Sequence, residues 1–262
     1  MRVRQSLKRA RSRFRNTEPL NTTNAGSGPL AFAVWPPAGS PVSLRTWWRE
    51  VAARGMLHAD PPDFPEDAAF GCGQKVIVLP GFCAPDLSTI RLRNFLKRQG
   101  FDAQPWDCGT NLGPTRTILT SLERLLGDAA ERQGSPVALV GISLGGTIAR
   151  EIAKRRPECV DHVITVASPI KLPVATPLAP LAKFASLVWD GDARGSIARV
   201  AEPPPVPLTA IVNPKDGIVD WRSCIPDPAP NVEVIAIEGA HTTMASNPNV
   251  QRVIAARLAL SS

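Results

Sequence analysis

A hydroxyl nucleophile needs a base to take its proton, and the base needs a group to hold it. Three stretches of this sequence carry those residue types in a workable order. The first is GISLGG (141–146), in which Ser143 lies between small residues. A serine hydroxyl is a weak nucleophile unless a base stands within reach, and histidine is the usual base near neutral pH. The chain has three histidines, so the search is short. His58 precedes a proline-rich turn. His162 lies inside the apolar run VDHVITVAS, where a packed strand histidine is the simpler reading. His241 directly follows the apolar run NVEVIAIEG, in the loop AHTTMASNP, and is the candidate base.

A third group should orient the imidazole and stabilise its cation, which is work for a carboxylate. NPKDGIVDW offers two. Asp216 comes straight after the apolar run PLTAIV and beside Gly217, and is preferred. Asp220 follows two apolar residues expected to turn inward and stays open as the alternative. An acyl-transfer site also needs two fixed donors for a developing oxyanion. The backbone N–H of Leu144, just after the serine, is one. The other is expected from Phe82 in LPGFC, where Gly81 lets the chain turn.

Other chemistries find no support. GSGPLA (26–31) has dinucleotide-like glycines but follows no strand, and the chain has neither a Gly-Lys pair for a phosphate loop nor an HExxH zinc pattern. Tyrosine is absent, which excludes a tyrosine acid or base. Five cysteines at 72, 83, 108, 159 and 224 have no zinc-type spacing, and their odd number argues against a complete disulfide framework.

Positioning Ser143 calls for a strand before it and a helix after it. G-x-S-x-G alone arises about 0.1 times by chance in a chain of this length, so these flanking elements carry more weight than the pattern. PVALVG supplies an apolar strand and LGGTIAREIAKRR a helix stopped by Pro157. The same alternation surrounds them. KVIVLPG (75–81) reads as a strand and STIRLRNFLKRQG (88–100) as a helix; FDAQPW reads as a strand and 115–134 as a helix. VDHVITVAS, PLTAIVN and NVEVIAIEG follow as strands, and NPNVQRVIAARLALSS closes the chain as a helix. Strands alternating with helices of ten or more residues predict an α/β fold, a mostly parallel sheet covered by helices on both faces.

The 262 residues are expected to form one such domain over 43–262, preceded by an arm and linker over 1–42. Residues 43–55 read as a helix with Ser43 as its cap and Leu44, Trp47, Trp48 and Val51 on one face. Between about 169 and 206 the rhythm breaks. From Leu172 to Trp189 the only charge is Lys183, which predicts an apolar cap or lid over an acyl site, or another core helix. The net charge of +7 is concentrated at one end: seven of the 30 Lys and Arg residues fall within residues 1–15, leaving 23 against 23 acidic residues in the body. The body is therefore neutral, and nucleic acid is not expected as a partner. The arm reads as a solvated tail, with contact to a membrane surface as its functional alternative. No apolar stretch is long enough to cross a bilayer; the cysteines, read mostly as reduced or buried thiols, point to a cytoplasmic location, or a membrane-peripheral one through the arm.

VIVLPGF, GISLGG, NPKDGIVDW and IEGAHTTM, in that order over residues 75–262, resemble the α/β-hydrolase superfamily and its lipase- and esterase-like members. Two departures stand out: Pro80-Gly81 replaces the His-Gly common in such lipases, and Asp220 stands where a neutral residue is usual. The resemblance implies hydrolysis of a small-molecule ester or lipid by Ser143, Asp216 and His241 through an acyl-enzyme, without a metal or organic cofactor. It also allows an acyltransferase with the same residues. A non-catalytic relative that binds membrane or nucleic acid through its basic arm is the alternative of another class.

Overall fold

The computed structural model describes residues 68–170 and 202–260. The basic arm, the Trp47–Trp48 stretch, His58 and residues 171–201 of the expected cap lie outside the described residues.

Six strands form one wholly parallel sheet: β1 (Lys75–Leu79), β2 (Asp102–Pro105), β3 (Val137–Ile142), β4 (Val160–Val166), β5 (Leu208–Val212) and β6 (Val232–Ala236). Their spatial order is β2-β1-β3-β4-β5-β6. The helices are α1 (Ile90–Arg98), α2 (Arg116–Gln133), α3 (Leu144–Arg155) and α4 (Pro248–Leu258). Continuous apolar strands form here because both sheet faces are covered. Alternate side chains of β1 therefore enter two different cores. Val76 and Val78 join Phe95 and Leu96 of α1 and Val250 and Ile254 of α4. Ile77 and Leu79 join Leu122 and Leu126 of α2 and Ile148 and Ile152 of α3.

Strand and helix types agree with the sequence reading, and the differences lie at element ends. The helix expected over 88–100 begins as a 3₁₀ turn over Asp86–Thr89 and becomes α-helical only at Ile90. Thr89 Oγ1 and Arg93 Nη2 both donate to the Asp86 carbonyl, at 2.9 and 3.1 Å, and hold that tighter turn. The loop expected around His241 is a short 3₁₀ helix, His241–Ser246, and α4 starts at its Asn247 cap, whose Oδ1 accepts from Asn249 N–H.

From β1 the chain runs outward to β2 and then returns past β1 to place β3 on its other side. Loops leaving β1 and β3 at their carboxyl ends thus diverge to opposite sides, which opens a crevice where ligands of such sheets bind. The segments after β1, β3, β5 and β6 carry Phe82, Ser143, Asp216 and His241 respectively. All four candidate residues share one edge of the sheet.

Candidate active site

Ser143 links β3 directly to α3 with φ 50° and ψ −124°. A non-glycine residue in such a region costs on the order of 1–3 kcal/mol and persists only when its surroundings hold it. Ser143 N–H donates to the Val166 carbonyl at the end of β4 (2.8 Å), and the Ser143 carbonyl accepts from Gly146 N–H (3.0 Å). The glycines around it are dictated by close approach. A Cβ on Gly145 would lie 2.5 Å from the carbonyl oxygens of Leu79 and Pro80, and one on Gly141 would lie 2.5 Å from the Gly145 carbonyl carbon. The turn therefore lifts the serine out of the sheet edge while α3 starts flush against β1 and β3.

His241 spans two partners. Its Nδ1 is 2.7 Å from Asp216 Oδ2, and its Nε2 is 3.0 Å from Ser143 Oγ. A carboxylate can only accept, so Nδ1 carries the proton toward Asp216 and the Nε2 lone pair faces the serine hydroxyl. Asp216 is held as well as holding. Its Oδ1 accepts from the N–H groups of Ile218 and Val219 at 2.8 and 2.9 Å, and its side chain is only 1% exposed. Those bonds aim Oδ2 at the imidazole.

Asp220 faces elsewhere. It caps the 3₁₀ turn Trp221–Cys224, accepting from Arg222 N–H at 3.1 Å with the Arg222 guanidinium 3.5 Å away. Ile218 and Val219, buried between the two aspartates, turn the chain so that the carboxylates diverge. Cys224, buried behind this loop, has its thiol pKa pushed well up by burial and then by the charge of Asp216, so it stays a neutral thiol.

His162 lies in β4, its Nε2 3.0 Å from Thr209 Oγ1 in β5. The Thr209 hydroxyl donates to Glu233 of β6 at 3.4 Å, and Arg257 of α4 holds that carboxylate with two bonds of 2.6 Å. Burial pushes the His162 pKa down to about 4, with Glu233 opposing and Arg257 assisting.

The loop after β1 passes beside the serine: a Cβ on Gly81 would sit 3.4 Å from Ser143 Cβ. The backbone N–H groups of Phe82 and Leu144 donate to nothing among the described residues. Asn111, wholly buried, laces this loop. Its Nδ2 donates to the Pro80 carbonyl (2.7 Å), its carbonyl accepts from Cys83 N–H (2.8 Å), and its own N–H donates to the Ala84 carbonyl (3.1 Å). Asn213, also buried, does the same between the acid and base loops. Its Oδ1 accepts from Lys215 and Gly239 N–H, and its Nδ2 donates to the Gly239 carbonyl at 3.0 Å. The sequence reading singled out neither asparagine. Each carries a readable signal only for a turn, through the Asn side chain accepting from the N–H two residues on, Gly113 and Lys215.

No protein-family model and no curated protein matches the chain. Solved structures match by shape. A monoacylglycerol lipase from Paleococcus ferrophilus is similar at TM-score 0.55 and 17% identity, over 74% of this chain and 97% of that one. A structure of the metagenome-derived lipolytic enzymes LipS and LipT is similar at TM-score 0.53 and 14% identity, over 72% and 96%. At such identities what is shared is the fold.

Proposed function

We propose that this chain, which has the α/β-hydrolase fold, is a serine hydrolase of carboxylic esters with lipophilic acyl groups. The observation that carries this reading is His241 standing between the buried Asp216 carboxylate and the strained Ser143. In the first step the Ser143 Oγ–H proton passes to His241 Nε2 as Oγ bonds to the ester carbonyl carbon. The carbonyl oxygen becomes an oxyanion and takes hydrogen bonds from Phe82 and Leu144 N–H. Asp216 steadies the imidazolium through Nδ1. The intermediate collapses as the ester C–O bond breaks, and the departing alkoxide takes the proton from Nε2. Water then repeats the cycle: it loses a proton to His241, attacks the acyl-enzyme and releases the carboxylic acid, while the proton returns to Ser143 Oγ. The residues named complete the cycle without a cofactor.

The lipophilic acyl group is supported by two exposed leucines that neighbour, in sequence, the Phe82 loop and Asn111. Leu87, three residues beyond Ala84, is 69% exposed, and Leu112, beside the asparagine that laces the loop, is 46% exposed. An alkyl chain laid over either leucine would remove apolar surface from water. The two structures similar in fold are named as a monoacylglycerol lipase and as lipolytic enzymes.

The test is a fluorophosphonate probe followed by peptide mapping, together with p-nitrophenyl esters of graded chain length. A single adduct on Ser143 is expected, with rates rising toward medium or long acyl chains. Ser143→Ala should lower kcat by on the order of 10⁶-fold. Labelling elsewhere, or an unchanged rate in that variant, overturns the proposal.

A further inference from the structure

The segment Pro80–Ala84 bends sharply enough to need external support. Ala84 N–H closes a turn onto the Gly81 carbonyl at 3.2 Å, and Cys83 adopts φ 54°, an unfavourable conformation for a non-glycine residue. Phe82 lies in the middle of this turn with its N–H uncommitted among the described residues. A short exposed loop of this kind would sample several orientations of that N–H. An oxyanion donor is effective only when it is already aimed, because any reorientation during the reaction has to be offset by the stabilisation it gives.

Asn111 removes that freedom. Its side-chain Nδ2 bonds to Pro80 before Phe82, and its backbone carbonyl and N–H bond to Cys83 and Ala84 after it, so the side chain supplies the bond on the Pro80 side. A side-chain amide is required here, because Nδ2 must donate to the Pro80 carbonyl while Oδ1 accepts from Gly113 N–H at 3.0 Å. Aspartate can satisfy Gly113 but sets an oxygen against the Pro80 carbonyl. Alanine satisfies neither and leaves buried polar groups unpaired. Asn111 is wholly buried, so its bonds are made without competition from bulk solvent.

Resting on the serine hydrolase reading above, we propose that Asn111 is a positioning residue of the reaction: it acts through the loop backbone to hold Phe82 N–H at the oxyanion. It touches no substrate, so its removal should cost transition-state stabilisation and leave ground-state binding unchanged. The experiment compares wild type with Asn111→Ala and the near-isosteric Asn111→Asp. Active sites are counted by fluorophosphonate titration so that misfolded chains drop out. kcat per titrated site is expected to fall about 10- to 100-fold in both variants with KM within about twofold, and the inhibition constant of an alkyl trifluoromethyl ketone should rise by the same factor as kcat/KM falls. That ketone adds to the serine as an oxyanion, and its affinity per site is not altered by a smaller folded fraction.

Unchanged kcat per site and unchanged ketone affinity in folded variants overturn the proposal. So does a change confined to KM or to the titrated fraction, which would mark Asn111 as structural only. Amide exchange in the wild-type protein tests the same point without substitution: Cys83 N–H should be protected in the free protein, and Phe82 N–H only once the ketone is bound. If Phe82 exchange ignores the ketone, the inference fails even if both variants fail to fold. Absence of any adduct or turnover in wild type would instead remove the serine hydrolase reading itself.

Discussion

His241 and His162 make an instructive pair. Both are buried, and both place Nε2 3.0 Å from a hydroxyl oxygen with a carboxylate in the same chain of contacts. What differs is the order of the groups. At His241 the carboxylate is on the far side of the ring, so the proton sits on Nδ1 and the hydroxyl donates to Nε2. At His162 the carboxylate, Glu233, is on the far side of the hydroxyl. The Thr209 proton points to Glu233, and Nε2 must donate to Thr209. On the reading proposed above, the first arrangement lets the ring take the proton from the oxygen, and the second leaves Nε2 as a donor to Thr209. The backbone agrees, since Ser143 projects from a strained turn whereas Thr209 lies within a strand paired on both sides.

The largest expected effect breaks the comparison at its active member. His241→Gln should reduce ester turnover by on the order of 10⁵- to 10⁶-fold, measured on a p-nitrophenyl ester, while His162→Gln should leave kcat within about twofold. Comparable losses from both would mean that the order of groups does not decide function. Next is the carboxylate that sets the tautomer. Asp216→Asn should lower kcat by about 10⁴-fold, and Asp220→Asn, which alters only the cap of a 3₁₀ turn, by less than about threefold. A larger loss at Asp220 would reassign the acid.

The smallest effect concerns stability and sharpens the other member of the pair. Burial holds the His162 pKa near 4 against an ordinary histidine value of 6.5. Above pH 6.5 both folded and unfolded forms are neutral there. As pH falls from 6.5 to 4 the unfolded chain binds a proton that the folded one refuses, so stability drops, by about 3 kcal/mol across the window. Below pH 4 this contribution levels off. Urea unfolding at pH 7.5 and pH 4 should show wild type losing about 3 kcal/mol more than His162→Gln, which cannot titrate. Equal losses would show that His162 is protonated without penalty.

Much of this was legible in the residues. Continuous apolar runs separated by helical stretches gave away a parallel sheet, because strands covered on both faces have no polar side to show. Histidine was tractable for a similar reason: with three in the chain, only one followed a strand. Asp216 and Asp220 could be ranked but not separated by spacing, since their divergence depends on Ile218 and Val219 packing inward. Asn111 was hidden further. Its importance comes from pairing across 31 residues with Pro80, and nothing in TNLGPT distinguishes an asparagine that laces another loop from one that bends its own.

The Ser143–His241 bond closes a span of 98 residues, and β4, β5 and β6 all intervene. Contacts that distant in sequence are slow to form, and a chain made from its amino end folds in that order. On the serine hydrolase reading proposed above, a nascent chain ending before residue 241 has Ser143 without the imidazole that would deprotonate it, so the site is completed only after β6 has been made.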